Sequence, residues 1–219
     1  MAARKSPRIS SRKQPKQARS AGLVAAILEA AAHILAKEGA ARFTTARVAE
    51  KAGVSIGSLY QYFPNKAAIL FRLQSDEWRQ SHALIEGILG DRQRLPLERL
   101  RAVIHAFIRS ECEEAAMRMA LDDAAPLYRD APEAKAARAS GKRAFQAFMR
   151  EMLPRAPEAR RALAGDLVKT TMSAAGKAFS ETPRSAAEIT AYADAMADMF
   201  CAYLKGLGAA PKRASKSRS

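Results

Sequence analysis

Apolar residues recur at intervals of three and four along most of this chain, the spacing that places them on one face of an α-helix. The first such stretch covers residues 20–37 and ends at Gly39. Its apolar positions are Leu23, Val24, Ile27, Leu28, Ala31, Ile34 and Leu35. Nothing in the pattern suggests β-strands or an internal repeat. The sequence therefore predicts an all-α fold.

Further amphipathic stretches after residue 66 predict a second helical part of about six helices. Asn65 is placed to cap a long helix that ends near Gly90. Around Pro126 the pattern is broken, and we expect only a short helix or loops there. Ser185 and Glu188 stand three residues apart ahead of an apolar stretch, which is the capping-box pattern of a helix start.

Residues 43–66 read FTTARVAEKAGVSIGSLYQYFPNK and predict two short helices joined by a turn. Thr44 and Ser55 are placed to cap the two helices through their side-chain oxygens. Gly53 suits the turn because it has no Cβ and so adopts positive φ easily. Leu59 is the apolar anchor of the second helix. Two helices with this connection form a helix-turn-helix, whose second helix enters the DNA major groove.

The segment AEKAGVSIGSLYQYFPNK resembles the DNA-binding signature of the tetracycline-repressor (TetR) family of bacterial transcriptional regulators. The resemblance runs from about Ala21 to about Leu70, and beyond it only length and helical character are similar. It implies a three-helix DNA-binding head followed by a helical domain. In this family that domain usually dimerises and binds a small molecule, which releases the heads from a palindromic operator.

The resemblance also implies which residues contact DNA. The matching positions are Thr44, Thr45, Ser55, Ile56, Gly57, Ser58, Tyr60, Gln61, Tyr62 and Lys66. The amide of Gln61 can pair with adenine, and Ile56 can contact a thymine methyl group. The phenols of Tyr60 and Tyr62 suit phosphate contacts, although one of the two can instead serve as packing. Residues 55–63 contain neither Lys nor Arg, unlike many members of the family, so the common arginine–guanine contact is missing.

The net charge of +15 is concentrated at the two ends of the chain. Residues 1–19 carry seven cations and residues 205–219 carry five, with no anion in either, which leaves +3 for the rest (15 minus 12). We interpret residues 1–19 and 207–219 as flexible basic tails around a head at 20–66 and a ligand-binding and dimerisation domain at 67–206. The tails either reach DNA phosphates or the minor groove, or serve only solubility.

A ligand pocket has weaker support from the sequence. Methionine and aromatic side chains adapt to apolar ligands, but for each of them taken singly ordinary core packing is the better interpretation. The candidates for contact with a small hydrophobic ligand are Trp78, His82, Phe107, Cys112, Met117, Tyr128, Phe145, Phe148, Met149 and Met172.

The last two predicted helices have the composition of a dimer interface. The final one carries two adjacent apolar stripes, an arc too wide for a helix that covers only its own core. We expect a four-helix arrangement with a second subunit, and the alternative is a monomer in which both helices are buried. The candidate interface residues are Leu167, Thr170, Ala174, Tyr192, Met196, Met199, Phe200 and Tyr203.

Other functional classes have little support. His105 and Cys112 are too sparse for a metal site, and no catalytic motif is present, so we predict no metal, no cofactor and no enzyme activity. Without a secretory segment or an apolar run of membrane-spanning length, we expect a bacterial cytoplasmic protein that joins the nucleoid when bound to DNA. The sequence leaves open a repressor, an activator of the same fold, or a largely non-specific basic DNA-binding protein.

Overall fold

The computed structural model describes residues 9–10, 18–139 and 142–208. Every regular element within these ranges is helical, which confirms the all-α prediction. Ten α-helices and one short 3₁₀ turn, over Ala125–Leu127, are present there. The α-helices are α1 (Ala18–Arg42), α2 (Thr45–Lys51), α3 (Ile56–Tyr62), α4 (Lys66–Gly90), α5 (Pro96–Glu113), α6 (Ala115–Ala124), α7 (Pro132–Ala139), α8 (Lys142–Met152), α9 (Glu158–Ser180) and α10 (Ala186–Gly206).

The described residues divide into two compact units. The first unit takes the chain up to Gln80 together with residues 116–139, and the second takes residues 81–115 and 142–208. We expected a boundary at residues 66 and 67. The structure instead assigns the first half of α4, most of α6 and all of α7 to the same unit as the helix-turn-helix.

One face of α1 contributes to the apolar core of the first unit. Ile27 and Leu35 of α1 are fully buried, as are Phe43 beside α2 and Leu59 of α3. Gly39 has φ +75°, so the helical conformation is interrupted there, where the sequence predicts the end of the helix. Burial of these side chains stabilises the unit because apolar surface leaves water.

One stretch has the length and composition of a membrane helix, a feature that reasoning from the sequence overlooked. Among the described residues, only Ser20–Arg42 is long and apolar enough to cross a membrane, with a mean hydropathy of 1.4. Its positions Ile27, Ala31 and Leu35 are fully buried in the core of the first unit. The core helix of a water-soluble protein passes the same test.

Two residues of the predicted N-terminal tail are fixed in place. Ile9 is only 2% exposed and belongs to the core of the first unit. The hydroxyl of Ser10 donates a hydrogen bond to Oε1 of Glu133, at the start of α7, over 2.9 Å. Within the predicted flexible tail of residues 1–19, these two positions therefore make defined contacts with the first unit. Its other residues before Ala18, and those after Gly208, lie outside the described residues.

The second unit is built from the end of α4 together with α5, α8, α9 and α10. Its buried core includes Leu100, Ile104, Val168 and Leu204. Gly176 of α9 lies against α5, where a Cβ would come within 2.7 Å of the Phe107 ring. Glycine is therefore required for this close approach of two helices, because any other residue carries a Cβ.

Several local predictions of helix ends are confirmed. The amide of Ala68 donates to Oδ1 of Asn65 over 2.9 Å, so Asn65 caps α4. The Ser185–Glu188 capping box is complete at the start of α10. The short helix or loops expected around Pro126 are the end of α6 and the 3₁₀ turn. From α4 onward the described residues contain seven α-helices where we expected about six.

Candidate DNA-binding surface

The first helix of the helix-turn-helix is fixed at its start by a side-chain cap. Oγ1 of Thr44 accepts a hydrogen bond from the amide of Arg47 over 3.3 Å, as the sequence predicts. Val48 and Ala49 then face inward and are buried. Thr44 itself is exposed, so its hydroxyl lies at the surface beside the free amides of a helix start.

The turn and the second helix are also fixed by local backbone and side-chain contacts. Gly53 has φ +66°, a conformation that strains residues with a Cβ. Ser55 caps α3 by accepting from the amide of Ser58 over 3.0 Å, and the two hydroxyls lie 2.8 Å apart. Leu59 is fully buried, which fixes the rotation of α3 about its axis. The opposite side of the helix must therefore face outward.

That outer side presents the side chains for which base contacts are predicted. Ile56 is 43% exposed and Gln61 is also exposed. Gly57 is exposed as well, and the nearest heavy atom to a Cβ built there is Oγ of Ser55 at 3.9 Å. Packing within the protein therefore does not require a glycine at position 57. Its small size leaves room for an approach from outside.

The two tyrosines of α3 have different environments. Tyr60 is 39% exposed, and its phenol lies 3.0 Å from Oγ1 of Thr45. Tyr62 is half-buried and packs against the core of the first unit. Tyr62 is thus the tyrosine with a packing role, an alternative that the sequence left open. Lys66 is exposed at the first turn of α4.

Arg47 is a candidate phosphate contact that reasoning from the sequence missed. It lies in α2, with its side chain 43% exposed, and forms a 2.6 Å ion pair with Glu38. Its Nη1 also donates to the carbonyl oxygen of Arg42 over 3.2 Å. Both contacts are set by tertiary structure, and no local pattern distinguishes this arginine from other surface cations.

The predicted ligand-binding residues are divided between the two units. Trp78, Met117 and Tyr128 belong to the first unit, and the other candidates belong to the second. The single phenol proton of Tyr128 already has acceptors within the first unit, because the phenol oxygen lies 3.2 Å from Oε1 of Gln74 and 3.1 Å from the carbonyl oxygen of Leu121.

Five of the seven candidates in the second unit take part in its core packing. Phe148, Met149 and Met172 are buried, and Phe107 and Phe145 pack against the same core. Cys112 is half-buried, and burial raises the pKa of its thiol above the ordinary value. His82 is half-buried.

The predicted dimer interface is exposed in part. Leu167 and Met199 are 47% and 50% exposed, and Thr170 and Ala174 are also exposed. Leu163 of α9, which is absent from the predicted interface, is 68% exposed.

Other residues assigned to that interface pack within their own subunit. Met196 and Phe200 are only 6% and 3% exposed and belong to the core of the second unit. Tyr192 is half-buried and stacks on Phe179 with 3.9 Å between ring centroids, and Tyr203 is half-buried too. Among the described residues, no group of three or more His, Cys, Asp or Glu side chains could hold a metal ion.

Two family models match the chain. Residues 27–73 match "Bacterial regulatory proteins, tetR family", and residues 95–207 match "Tetracyclin repressor-like, C-terminal domain". The second match alone covers more than half of the chain.

Among characterised relatives, the chain is similar to the nucleoid occlusion factor SlmA of Vibrio vulnificus. The two are 40% identical over 83 residues, which is 37% of this chain and 42% of SlmA. The chain therefore spans less than half the length of this relative.

Solved structures share the fold at low sequence identity. A chain described as a TetR-family transcriptional regulator from Mesorhizobium loti superposes with a TM-score of 0.64 at 19% identity, covering 85% of this chain and 98% of that one. The transcriptional regulator FadR from Bacillus subtilis, in complex with stearoyl-CoA, gives a TM-score of 0.60 at 16% identity over 81% and 97% of the two chains.

Proposed function

This chain belongs to the TetR family of bacterial regulatory proteins, and from that premise we propose that it is a dimeric, sequence-specific DNA-binding repressor of transcription. The family assignment rests on the two matching models. We further propose that a small molecule bound by the helical part after the head releases the protein from its operator. The chain acts by binding and carries out no catalysis.

The observation that carries the proposal is the outward side of α3. Leu59 is fully buried on one side of this helix, while Ile56 and Gln61 are exposed on the other. An exposed, uncharged helix side with an amide and a methyl-bearing side chain suits base edges in the major groove. We assign phosphate contacts to Tyr60, Lys66 and the start of α2.

Dimerisation through α9 and α10 completes the proposed DNA-binding unit. Leu163, Leu167 and Met199 expose large apolar side chains on these helices. Two heads related by a two-fold axis require a palindromic site with half-sites about one helical turn apart.

We propose that the tail residues 1–8 bind additional phosphates, because they carry Arg4, Lys5 and Arg8 without an anion. Removal of residues 1–8 tests this and leaves Ile9 in the core. The slope of log affinity against log salt should fall by about 0.9 for each phosphate that the shortened protein no longer neutralises. An unchanged slope and affinity would exclude this role.

The ligand response is proposed for the helical part after the head. The Bacillus subtilis FadR structure contains stearoyl-CoA, and its fold is similar to this one. We propose a small, largely apolar ligand for this chain. A ligand releases DNA only if it binds the DNA-free state more tightly than the DNA-bound state.

Selection of bound fragments from random DNA by the full-length protein tests the main proposal. We expect one enriched palindrome, and we expect the Gln61→Ala variant to lose the base preference at one position of each half-site. Enrichment of no sequence above random duplex would instead identify a non-specific basic DNA-binding protein. The position of the selected site relative to a promoter distinguishes a repressor from an activator.

Nucleoid occlusion is a second candidate function, because the 40% identity over 83 residues is to a nucleoid occlusion factor. In that case the selected palindrome would occur at many chromosomal sites, and deletion of the gene would allow division across the nucleoid. A regulator of one or a few promoters would show neither result. In both cases we expect the protein in the cytoplasm, associated with the nucleoid when bound.

A further inference from the structure

The second unit contains a cleft of about 440 Å³. It is bounded by the end of α4, by α5 and by α8. Its apolar wall consists of Leu89, Gly90, Ala144, Ala147 and Phe148. Four charged side chains also line it, namely Glu86, Arg92, Arg99 and Glu151.

Arg99 is the unusual member of this group, because its side chain is almost completely buried. The residue is 1% exposed, and its guanidinium lies over the Phe148 ring, 5.5 Å from the centroid. Nη1 donates to the carbonyl oxygen of Leu89 over 2.5 Å, and Nη2 donates to Oε1 of Glu151. Nε is buried and has no hydrogen-bond partner.

Nε and Nη2 form one edge of the guanidinium, and their N–H groups point in the same direction. A carboxylate whose two oxygens face this edge accepts both hydrogen bonds at once, which is the strongest geometry of this pair. Glu151 accepts only at Nη2 and leaves Nε unsatisfied. The side chain of Glu151 is 42% exposed, so it can leave for solvent at low cost.

We propose that this cleft binds a small monocarboxylate with a short apolar chain. Its carboxylate replaces that of Glu151 on the Nε–Nη2 edge of Arg99, and its chain lies against Ala144, Ala147 and Phe148. Glu86 lines the same cleft and disfavours a second anionic group on the ligand.

This inference deepens the proposed ligand response by naming the class of ligand and its anchoring residue. Only the interpretation of the carboxylate as the regulatory ligand rests on the proposed function. Direct binding to the full-length protein without DNA tests it, so its failure and the failure of the proposed DNA-binding function are distinguishable.

The experiment is isothermal titration calorimetry of the full-length protein with hexanoate and with its uncharged analogue hexanamide. We expect hexanoate to bind and hexanamide not to bind. The Glu151→Gln variant removes the competing charge from an exposed position, and we expect about threefold to tenfold tighter binding of hexanoate. If Glu151→Gln bound hexanoate no more tightly than the wild type does, the proposal would be overturned.

Two substitutions on α8 locate the site. Ala147→Trp fills the cleft from an exposed position and is expected to abolish binding, whereas Gln146→Trp on the neighbouring exposed position is the matched control and is expected to bind as the wild type does. Ala147→Met serves as a milder filling variant if the tryptophan variant does not fold. Binding that survives both Ala147 substitutions, equal binding of hexanamide, or absence of binding to wild type and Glu151→Gln alike would each overturn the proposal.

Discussion

The hydroxyl of Thr45 and the phenol of Tyr60 lie 3.0 Å apart, so the first residue of α2 and the middle of α3 are joined at the protein surface. The contact is between side chains fifteen positions apart in the sequence. It holds an exposed phenol in one orientation on the surface proposed to meet the DNA backbone. A held donor loses less conformational entropy on binding than a free one.

The first prediction concerns this phenol. Tyr60→Phe removes the hydroxyl that we assign to a phosphate, and a hydrogen bond to a charged group is worth enough for about a tenfold loss of operator affinity. Thr45→Val keeps the phenol but releases its orientation, so a smaller loss of about threefold is expected. Fluorescence anisotropy with the selected operator measures both. Equal affinity of Tyr60→Phe and wild type would remove Tyr60 from the binding surface.

The second prediction separates base reading from general affinity. Gln61→Ala removes an amide that can pair with adenine, and a good bidentate pair is worth about 1–3 kcal/mol of discrimination. The variant should bind the operator more weakly but bind random duplex as the wild type does. Lys66→Ala is the contrasting variant, because removal of a phosphate-binding cation weakens binding to both duplexes. If Gln61→Ala weakened both duplexes equally, the residue would have no role in base reading.

The features that sequence reasoning predicted are local ones. Caps at Thr44, Ser55, Asn65 and Ser185 depend on side chains and amides three positions apart. The interruption at Gly39 depends on the φ preference of a single residue. Such features can be predicted from the sequence because the groups that form them are close together in the chain.

The features that were missed depend on contacts between distant segments. Ile9 reads as part of a basic tail, yet it is buried in the core of the first unit. Arg99 belongs to no pattern that predicts burial, yet its side chain is buried, with hydrogen bonds to the carbonyl oxygen of Leu89 and to Glu151. Met196 and Phe200 lie in an apolar arc that fits an interface or a core equally well. Only the packing of α10 within the second unit distinguishes these two cases.

The third prediction tests the dimer. Leu167→Glu places a charge on the exposed apolar surface of α9, and we expect it to convert the proposed dimer to a monomer because a buried unpaired charge is costly. Leu84→Glu is a matched control, since Leu84 is 48% exposed and Leu167 is 47% exposed, but Leu84 lies on α4. Analytical ultracentrifugation should find a dimer for the control. If both variants were dimers, the interface would not include this surface of α9.

The fourth prediction concerns the close contact of α5 and α9. A Cβ at position 176 would lie 2.7 Å from Cε1 of Phe107 and 3.3 Å from Cδ1 of Ile108. Gly176→Ala therefore forces these side chains to shift, and overpacking of this kind lowers the free energy of unfolding by about 1–3 kcal/mol.

Gly87→Ala is the control for that substitution, because nothing lies within 4 Å of a Cβ built at this exposed helical position. Alanine there should raise the free energy of unfolding by about 0.5–1 kcal/mol, since glycine is a poor helix former. Urea denaturation measures both variants. A Gly176→Ala protein as stable as Gly87→Ala would contradict the close approach of the two helices.

The last prediction uses the pH dependence of the capping box at the start of α10. The carboxylate of Glu188 accepts hydrogen bonds from the amide and the hydroxyl of Ser185, and these contacts lower its pKa below the ordinary value of 4.5. A group whose pKa is lower in the folded state stabilises that state above its unfolded pKa, and the stabilisation is lost as the pH falls through the folded pKa. Wild type should thus be more stable than Glu188→Gln at pH 7, and the difference should shrink below about pH 4.5.

Urea denaturation of wild type and Glu188→Gln between pH 3 and pH 7 measures the difference in their free energies of unfolding. The other carboxylates are present in both proteins, so their contributions cancel in this difference. Ser185→Ala removes the reciprocal cap and should cost about 1 kcal/mol at pH 7. Glu181→Gln, at an exposed carboxylate outside the capping box, is the control for loss of a surface charge, and its stability at pH 7 should lie within about 0.5 kcal/mol of wild type. A gap between wild type and Glu188→Gln that stays constant down to pH 3 would mean that the charge of Glu188 does not stabilise the start of α10.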